Sequence, residues 1–329
     1  MTTYIIRRSL IGLLTLFLIT FVVFGLIRNM PGNPMVVNMA ESDPSKKISK
    51  EDQQRMLALY GLDKPWYQSY FIWMNNVRKG DLGRSIVEKE PVLKAIGKRV
   101  GPTLLLSVTS LSIAYLLAVP MGLWGTARSG RLDERMMSVG LYMLYSIPSF
   151  VAALMLLVVF YVKLDGTVFH LKPGMISENY KELGTLGRIF DVMKHMILPV
   201  ACYTYGSLAY YSRFVKANME EVIRQDYIRT ARAKGASTMT VIVHHAFRNT
   251  LIPFVTLLGL TLPGLLSGTV ILESIFNWPG MGTLFFDALT GRDYFVLMGE
   301  TLMYAVMTLV GQLVADILYA VVDPRVTYG

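Results

Sequence analysis

Six stretches of the chain run for 17 residues or more almost without charge: Ser9–Ile27, Pro102–Ala127, Met136–Val162, Met196–Ser212, Asn249–Leu272 and Thr301–Val322, the last broken only by Asp316. Roughly 20 apolar residues suffice to cross a bilayer as a helix. Inside hydrocarbon, backbone N–H and C=O groups must be satisfied within the segment, so such stretches are helical. The expected fold class is therefore an all-α integral membrane protein with six transmembrane helices. Composition agrees: 17% of the 329 residues are charged and 53% hydrophobic, whereas a soluble chain carries about 25% charged residues.

Arg7 and Arg8 precede the first run, as in a secretory signal. That run is 19 residues long, and "RNMPGNP" after it offers no small-residue cleavage site, so it reads as a retained anchor helix. The single Cys202 falls within the fourth run, which excludes a disulfide framework and fits a small buried hydrophobe. The formal charge of +9 has a membrane explanation. With the N-terminus inside, 13 Lys and Arg fall in cytoplasmic pieces, seven of them between Arg213 and Arg248, against six in the two shorter outer loops, 163–195 and 273–295. The positive-inside rule then places both termini in the cytoplasm. Nothing in the pattern calls for nucleic acid.

The 28–101 segment, placed outside, contains two helical patterns. "SKEDQQRMLALYG" has Ser49 as an N-cap and Gly61 as a stop. "KPWYQSYFIWMNNVRKG" reads as an amphipathic helix whose Trp66, Tyr67, Tyr70, Phe71 and Trp73 either pack on the membrane helices or meet a ligand or partner. Pro120, Pro148, Pro199, Pro253 and Pro263 fall within the spans, where each removes a backbone donor and kinks its helix unless neighbours compensate. Carboxylates are nearly absent there: only Glu300 and Asp316 come close, near span ends, and His170, His195, His244 and His245 lie outside. An ion-coupled carrier needs a charge that changes at depth, so the energy for any transport is expected from elsewhere. The chain has no GxxxxGK[ST] loop, no GxSxG and no HExxH, and the adjacent His244 and His245 lack the i, i+4 spacing of a metal pair. It reads as a conduit or partner subunit with no metal, cofactor or catalytic constellation of its own.

The 213–248 loop is the most informative. "RFVKANMEEVIRQDYIRTARAKG" is strongly helix-forming, so the fourth membrane helix is expected to run on into the cytoplasm. Gly235 breaks it, because glycine reaches left-handed backbone angles, and Ser237 caps a second short helix through "TMTVIVHHAFRN". The expectation is a helix–turn–helix knob. Its apolar Met239, Val241, Ile242 and Val243 form a patch with no evident partner in the chain, and so point to a partner protein or, failing that, to anionic lipid.

This loop resembles the cytoplasmic signature of ABC importer permeases: Glu-Ala-Ala, three residues, Gly, nine residues, Ile-x-Leu-Pro. Gly235 matches the glycine; Arg229, Thr230 and Ala231 stand in the Glu-Ala-Ala places, and His245, Phe247 and Arg248 in the Ile, Leu and Pro places. The variant "DYIRTARAKG…HHAFRNTLIP" is similar to the form in the dipeptide/oligopeptide/nickel permease family. "MPGNP" (30–34), "YGLDKPWYQSYFIWMNNVRKGDLGRS" (60–85), "ESIFNWPGMGTLFFDAL" (273–289) and "DILYAVVDPRVTYG" (316–329) resemble its other motifs in order. "RDYFVLMG" (292–299) departs by placing Phe295 where that family usually has proline.

The resemblance implies a transmembrane permease subunit of an ATP-driven, binding-protein-dependent importer in a bacterial or archaeal cytoplasmic membrane. The long external loop implies the first of the two permease subunits. The implied divisions are an N-terminal transmembrane helix (1–28), an extracytoplasmic helical loop (29–101), a permease core (102–322) with a coupling loop (213–248) and coupling helix between helices 4 and 5, and a cytoplasmic tail (323–329). Implied partners are a sister permease, two ATPase subunits, an extracytoplasmic substrate-binding protein and the lipid bilayer. ATP and Mg belong to the ATPase subunits, with no cofactor or metal in this chain. The ATPase contact is assigned to Ala231, Ala233, Gly235, Ala236 and Ser237, with Arg229, Arg232 and Lys234 as rim charges. Peptides are the expected cargo, with nickel chelates, glutathione or oligosaccharides as alternatives. An ion-coupled carrier, a membrane-embedded enzyme and an exporter are the readings of other classes.

Overall fold

The computed structural model describes residues 2–30 and 63–322. The helix anticipated from Ser49 to Gly61, the motif at 31–34 and the tail from 323 onward lie outside the described residues. Among the described residues the chain is helical, with one isolated antiparallel bridge, Arg84 to Pro91, and no strand.

Helix α1 (Thr2–Arg28) is followed by a short amphipathic helix, α2 (Trp66–Val77), and a long one, α3 (Val92–Ala127). Prolines set the starts of the last two: Pro65 precedes α2 and Pro91 precedes α3, where a fixed φ is preorganised and a missing N–H costs nothing. Then come α4 (Leu132–Ser146) and α5 (Ser149–Leu157), the latter continued by π-helical turns to Lys163. Asp133 and Glu134 in the first turn of α4 complement its dipole. Pro148 separates α4 from α5, and the pair bends by 86° there. The other prolines flagged in the sequence, Pro120, Pro199, Pro253 and Pro263, sit inside continuous helices. The longest helix, α6, covers Thr185–Val222 and runs on past the fourth apolar segment, as expected.

Beyond it lie α7 (Asp226–Ala233), α8 (Thr238–Thr240, extended by π-helical turns Val241–Phe247), α9 (Arg248–Ser267), α10 (Val270–Ile275), α11 (Met281–Thr290) and α12 (Tyr294–Val322). Among the described residues three helical segments are long and apolar enough to cross a membrane: Ile6–Arg28, Val92–Ala127 and Tyr294–Asp316. The bent α4–α5 pair makes a fourth if it counts as one span. Helices α6 and α9 carry the remaining two apolar segments of the sequence.

Two helix pairs organise the packing, α3 with α6 and α9 with α12, with α1 laid against α12. Each pair meets where a side chain is missing. A β-carbon on Gly122 of α3 would lie 2.5 Å from Val215 of α6, and one on Gly259 of α9 would lie 2.6 Å from Ala315 of α12. In lipid, where apolar burial gives no driving force between helices, such close backbone approach is the main source of association. Cys202 is buried beside Leu198 and Phe276, as its place in a span predicted.

The aromatics of α2 divide. Tyr70 and Trp73 are buried against Phe21, Phe24 and Met298, and Trp66 packs its ring 5.0 Å from Phe21. Tyr70 also exchanges a hydrogen bond with Thr20 at 2.9 Å. Tyr67 and Phe71 remain exposed. Helix α2 is thus fastened to α1 by Trp66, Tyr70 and Trp73, and the exposed Phe71 also sets its ring 6.5 Å from Phe21.

Segment 273–295, an outer loop by its polarity, is instead built into the core. Phe276, Trp278, Met281, Leu284 and Ala288 are each at most 2% exposed. What looked like a connection is a folded hairpin of α10 and α11.

Candidate functional site

The residues assigned to a partner contact are gathered on one break between helices. Helix α7 starts after extended Gln225, with Asp226 in its first turn, and ends at Ala233. Gly235 has φ +83°, the left-handed region, and nothing lies within 4 Å of where its β-carbon would be. The Gly235 N–H donates to Arg232 O at 3.0 Å and the Ala236 N–H to Ala231 O at 3.2 Å, closing the helix end. Ser237 then caps α8, its Oγ accepting the Thr240 N–H at 3.2 Å. The glycine break and the serine cap are as the sequence predicted.

Arg229, Arg232, Ala233, Lys234, Gly235 and Ser237 are exposed, and Ala236 is half-buried. Ala231 departs from this set. It is 8% exposed and packs inward with Ile228, Val241, Ile242 and Ala246 against Val215 and Met219 of α6 and Phe254 of α9. The anticipated greasy patch is corrected in the same way. Val241 and Ile242 find their partner within this chain, and Met239 alone of the four stays largely exposed. The sequence could not separate these cases, because a helical period shows which residues share a face but not which neighbour covers it.

The inner face of the break is therefore braced. Tyr115, Val119, Leu123 and Ala127 of α3 add to the same cluster. A column of rings continues it: Phe247 lies 6.4 Å from Phe254, Phe254 5.6 Å from Phe214 and 5.9 Å from Tyr115, and Tyr115 stacks on Tyr211 at 4.4 Å. Close-packed side chains transmit displacement because interiors are nearly incompressible. Close by, Lys216 of α6 pairs with Glu134 of α4 at 2.7 Å. Burial alone would lower Lys216, but its hydrogen bond to Glu134 holds it above the usual lysine range. Arg229 reaches Asp226 at 3.3 Å, both exposed, a pairing that contributes little by itself. His244 and His245 are exposed on the far side of α8.

A second polar cluster was missed in the sequence. The Glu273 carboxylate, 1% exposed, accepts the Thr103 hydroxyl at 2.9 Å and the Thr283 N–H at 3.0 Å, while Thr103 Oγ1 accepts the Met281 N–H at 2.7 Å. Trp278 donates its indole N–H to Pro102 O at 3.0 Å. This lock joins the α10–α11 hairpin to α3. Next to it Asp293 accepts from Ser85 Oγ at 2.5 Å, Ile86 N at 2.7 Å and Val87 N at 3.1 Å, clamping the loop before α3 to the start of α12. Phe295, where the related pattern has proline, lays its ring on Gly83, whose φ of +94° and missing side chain leave the space.

Three carboxylates are nonetheless buried: Glu273 and Asp293, outside the apolar segments, and Glu300, near the start of the last one, are at most 1% exposed. Glu273 and Asp293 are engaged in structural hydrogen bonds. Glu300, in α12, has neither carboxyl oxygen hydrogen-bonded among the described residues. Among the described residues no group of three or more His, Cys, Asp or Glu is arranged to hold a metal.

Comparison with known proteins gives consistent matches over the whole length. A family model described as "Binding-protein-dependent transport system inner membrane component" matches residues 114–328, and its N-terminal counterpart matches residues 1–107. The chain is 39% identical to the oligopeptide transport system permease protein AppB of Bacillus subtilis (strain 168), over 100% of both chains. It is 35% identical to the dipeptide transport system permease protein DppB of Escherichia coli (strain K12), over 100% of this chain and 99% of that protein. It is 34% identical to the glutathione transport system permease protein GsiC of Escherichia coli O6:H1 (strain CFT073), over 100% of both. Among solved structures, a chain of the MetNI methionine ABC transporter in an inward-facing conformation superposes with TM-score 0.53 at 17% identity, covering 70% of this chain and 97% of that one, a likeness of fold.

Proposed function

The chain belongs to the family of binding-protein-dependent transport system inner membrane components, and on that premise we propose that it is one of the two permease subunits of an ATP-driven importer of peptides. Six spans with both termini in the cytoplasm form half of the pathway, and a sister permease supplies the other half. One ATPase subunit docks on the break at 229–237 and a second on the sister permease, and an extracytoplasmic binding protein delivers cargo to the face that carries α2. Peptides are favoured because relatives aligned end to end are named for oligopeptides and dipeptides. Glutathione, named in another relative, is the nearest alternative.

The observation that carries the coupling role is the two-sided build of the break. Its inner face is packed into the ends of α3, α6 and α9, while its outer face presents Arg229, Arg232, Ala233, Lys234, Gly235 and Ser237. A rigid element gripped by a partner on one side and packed on three long helices on the other is suited to passing a rigid-body motion. The small residues allow close approach, and the basic rim suits carboxylates on a partner.

Glu300 favours one second reading. An orphaned carboxyl at depth is the kind of group an ion-coupled carrier uses. One uptake experiment separates the two. Proteoliposomes holding the assembled complex, with binding protein outside and ATP inside, are expected to accumulate labelled tri-alanine undiminished by a protonophore and to stop when ATP is removed. Collapse on adding the protonophore at constant ATP would establish the carrier instead.

A further inference from the structure

Between α3, α6 and the end of α9 lies an open hollow of about 280 Å³ whose lining carries several hydroxyl-bearing side chains beside Leu111 and Leu265. Ser107 and Ser110 come from α3, Tyr203 and Ser207 from α6, and Ser267 and Thr269 from the end of α9 and the turn after it. Among the described residues no charged side chain lines it. By contrast, the outward face of α1 is Leu10, Ile11, Leu13 and Leu14, all half or more exposed. A hydroxyl facing hydrocarbon is costly unless it bonds inward. Ser207 and Ser267 bond inward in this way, to Tyr203 O at 3.3 Å and Gly264 O at 3.1 Å, but one hydroxyl is not tied up. Ser110 is 4% exposed, yet among the described residues its Oγ has no hydrogen-bond partner. The Tyr203 hydroxyl accepts the Thr269 N–H at 3.1 Å and exchanges a bond with Thr269 Oγ1 at 2.8 Å, both at the exposed rim. Gly264, also in the lining, has open space where a side chain would be.

We propose that this hydroxyl-lined hollow is a wall of the aqueous pathway, where passing cargo exchanges hydrogen bonds through its backbone amides. The proposal rests on the chain being an importer permease and deepens that reading by naming the surface and the chemistry it recognises. A serine, threonine or tyrosine hydroxyl both donates and accepts, so it meets an amide N–H and an amide C=O equally. It makes no demand on the side chain beside them. A charged residue here would hold one class of cargo and repel another, whereas neutral hydroxyls favour entry without preventing exit, the balance that a conducting site requires. Tyr211, which also lines the hollow, is the last ring of the aromatic column that begins at the break near Gly235. Motion at the break thus reaches the wall through packed side chains.

The test uses the assembled complex in proteoliposomes, in a Cys202→Ala background, with single substitutions Ser207→Cys, Ser267→Cys and, as a lipid-facing control, Leu116→Cys. The probe is (2-sulfonatoethyl) methanethiosulfonate, which is charged and whose sulfenyl sulfur is attacked by a thiolate, forming a mixed disulfide and releasing methanesulfinate. A thiol in hydrocarbon resists ionisation, and each unit its pKa rises leaves about tenfold less thiolate. Cysteines at 207 and 267 are expected to react about tenfold faster than the one at 116, and their modification is expected to cut tri-alanine uptake about tenfold. Two results would overturn the proposal: reactivity at 207 and 267 as slow as at 116, or full modification that leaves uptake unchanged. If the unmodified complex takes up no tri-alanine, the peptide assignment fails, and the reactivity comparison alone then decides whether the wall is aqueous.

Discussion

Gly235 is held at φ +83° with open space around its missing side chain, so what a substitution costs there is set by backbone angle and by outward reach. Alanine fits sterically and costs about 1–2 kcal/mol for the left-handed angle. Gly235→Ala is therefore expected to lower transport partially. Proline cannot adopt the angle, since its ring fixes φ near −65°, and Gly235→Pro is expected to abolish coupling. Asp293 is the other residue whose environment dictates an outcome. Asp293→Ala strands the Ser85 hydroxyl and the Ile86 and Val87 N–H groups. Hydrogen bonds to a charged group contribute about 1.5–3 kcal/mol each, so the purified complex should show a markedly lower thermal midpoint, with Asp293→Asn recovering part of it. An unchanged midpoint for the alanine variant would remove the clamp from the account.

At the scale of elements, the break at 226–247 has an inside and an outside, which makes opposite predictions for neighbours in sequence. Ile242→Ala opens a cavity among Val215, Met219 and Phe254 and should cost about 2–5 kcal/mol of local stability, measurable as faster amide exchange across α7 and α8. Met239→Ala, three residues earlier and exposed, should leave exchange unchanged. Equal effects would mean that the element is not braced as described. Much of this element was legible in the sequence. Gly235 and Ser237 announce a stop and a cap because their backbone and hydroxyl chemistry acts locally. Ala231, Val241 and Ile242 read as outward because what covers them depends on how the flanking α6 and α9 and the distant α3 fold back over the break, which the local pattern does not show. The α10–α11 hairpin was missed for the same reason. Its Glu273 looks like a loop carboxylate until Thr103, 170 residues earlier, is placed against it.

For the whole molecule, length and hydropathy identify the apolar segments, while their arrangement follows from contacts such as Gly122 on Val215 and Gly259 on Ala315. The sidedness proposed from charge has its own check. With Cys202 replaced, Met239→Cys should be labelled by an impermeant thiol reagent from the cytoplasmic side alone and Lys79→Cys from the opposite side alone; reversed labelling would invert the orientation.

The central claim is that the break at Gly235 carries force between ATPase subunits and the pathway. Its most direct measurement is binding-protein-stimulated ATP hydrolysis by purified complexes carrying wild-type chain or Gly235→Trp, a side chain with room to fold around but none to dock through. The account predicts a complex that assembles in the membrane with a thermal midpoint no lower than that of Gly235→Ala, yet shows no stimulation and no tri-alanine uptake. Wild-type stimulation and uptake in the Gly235→Trp complex would contradict it.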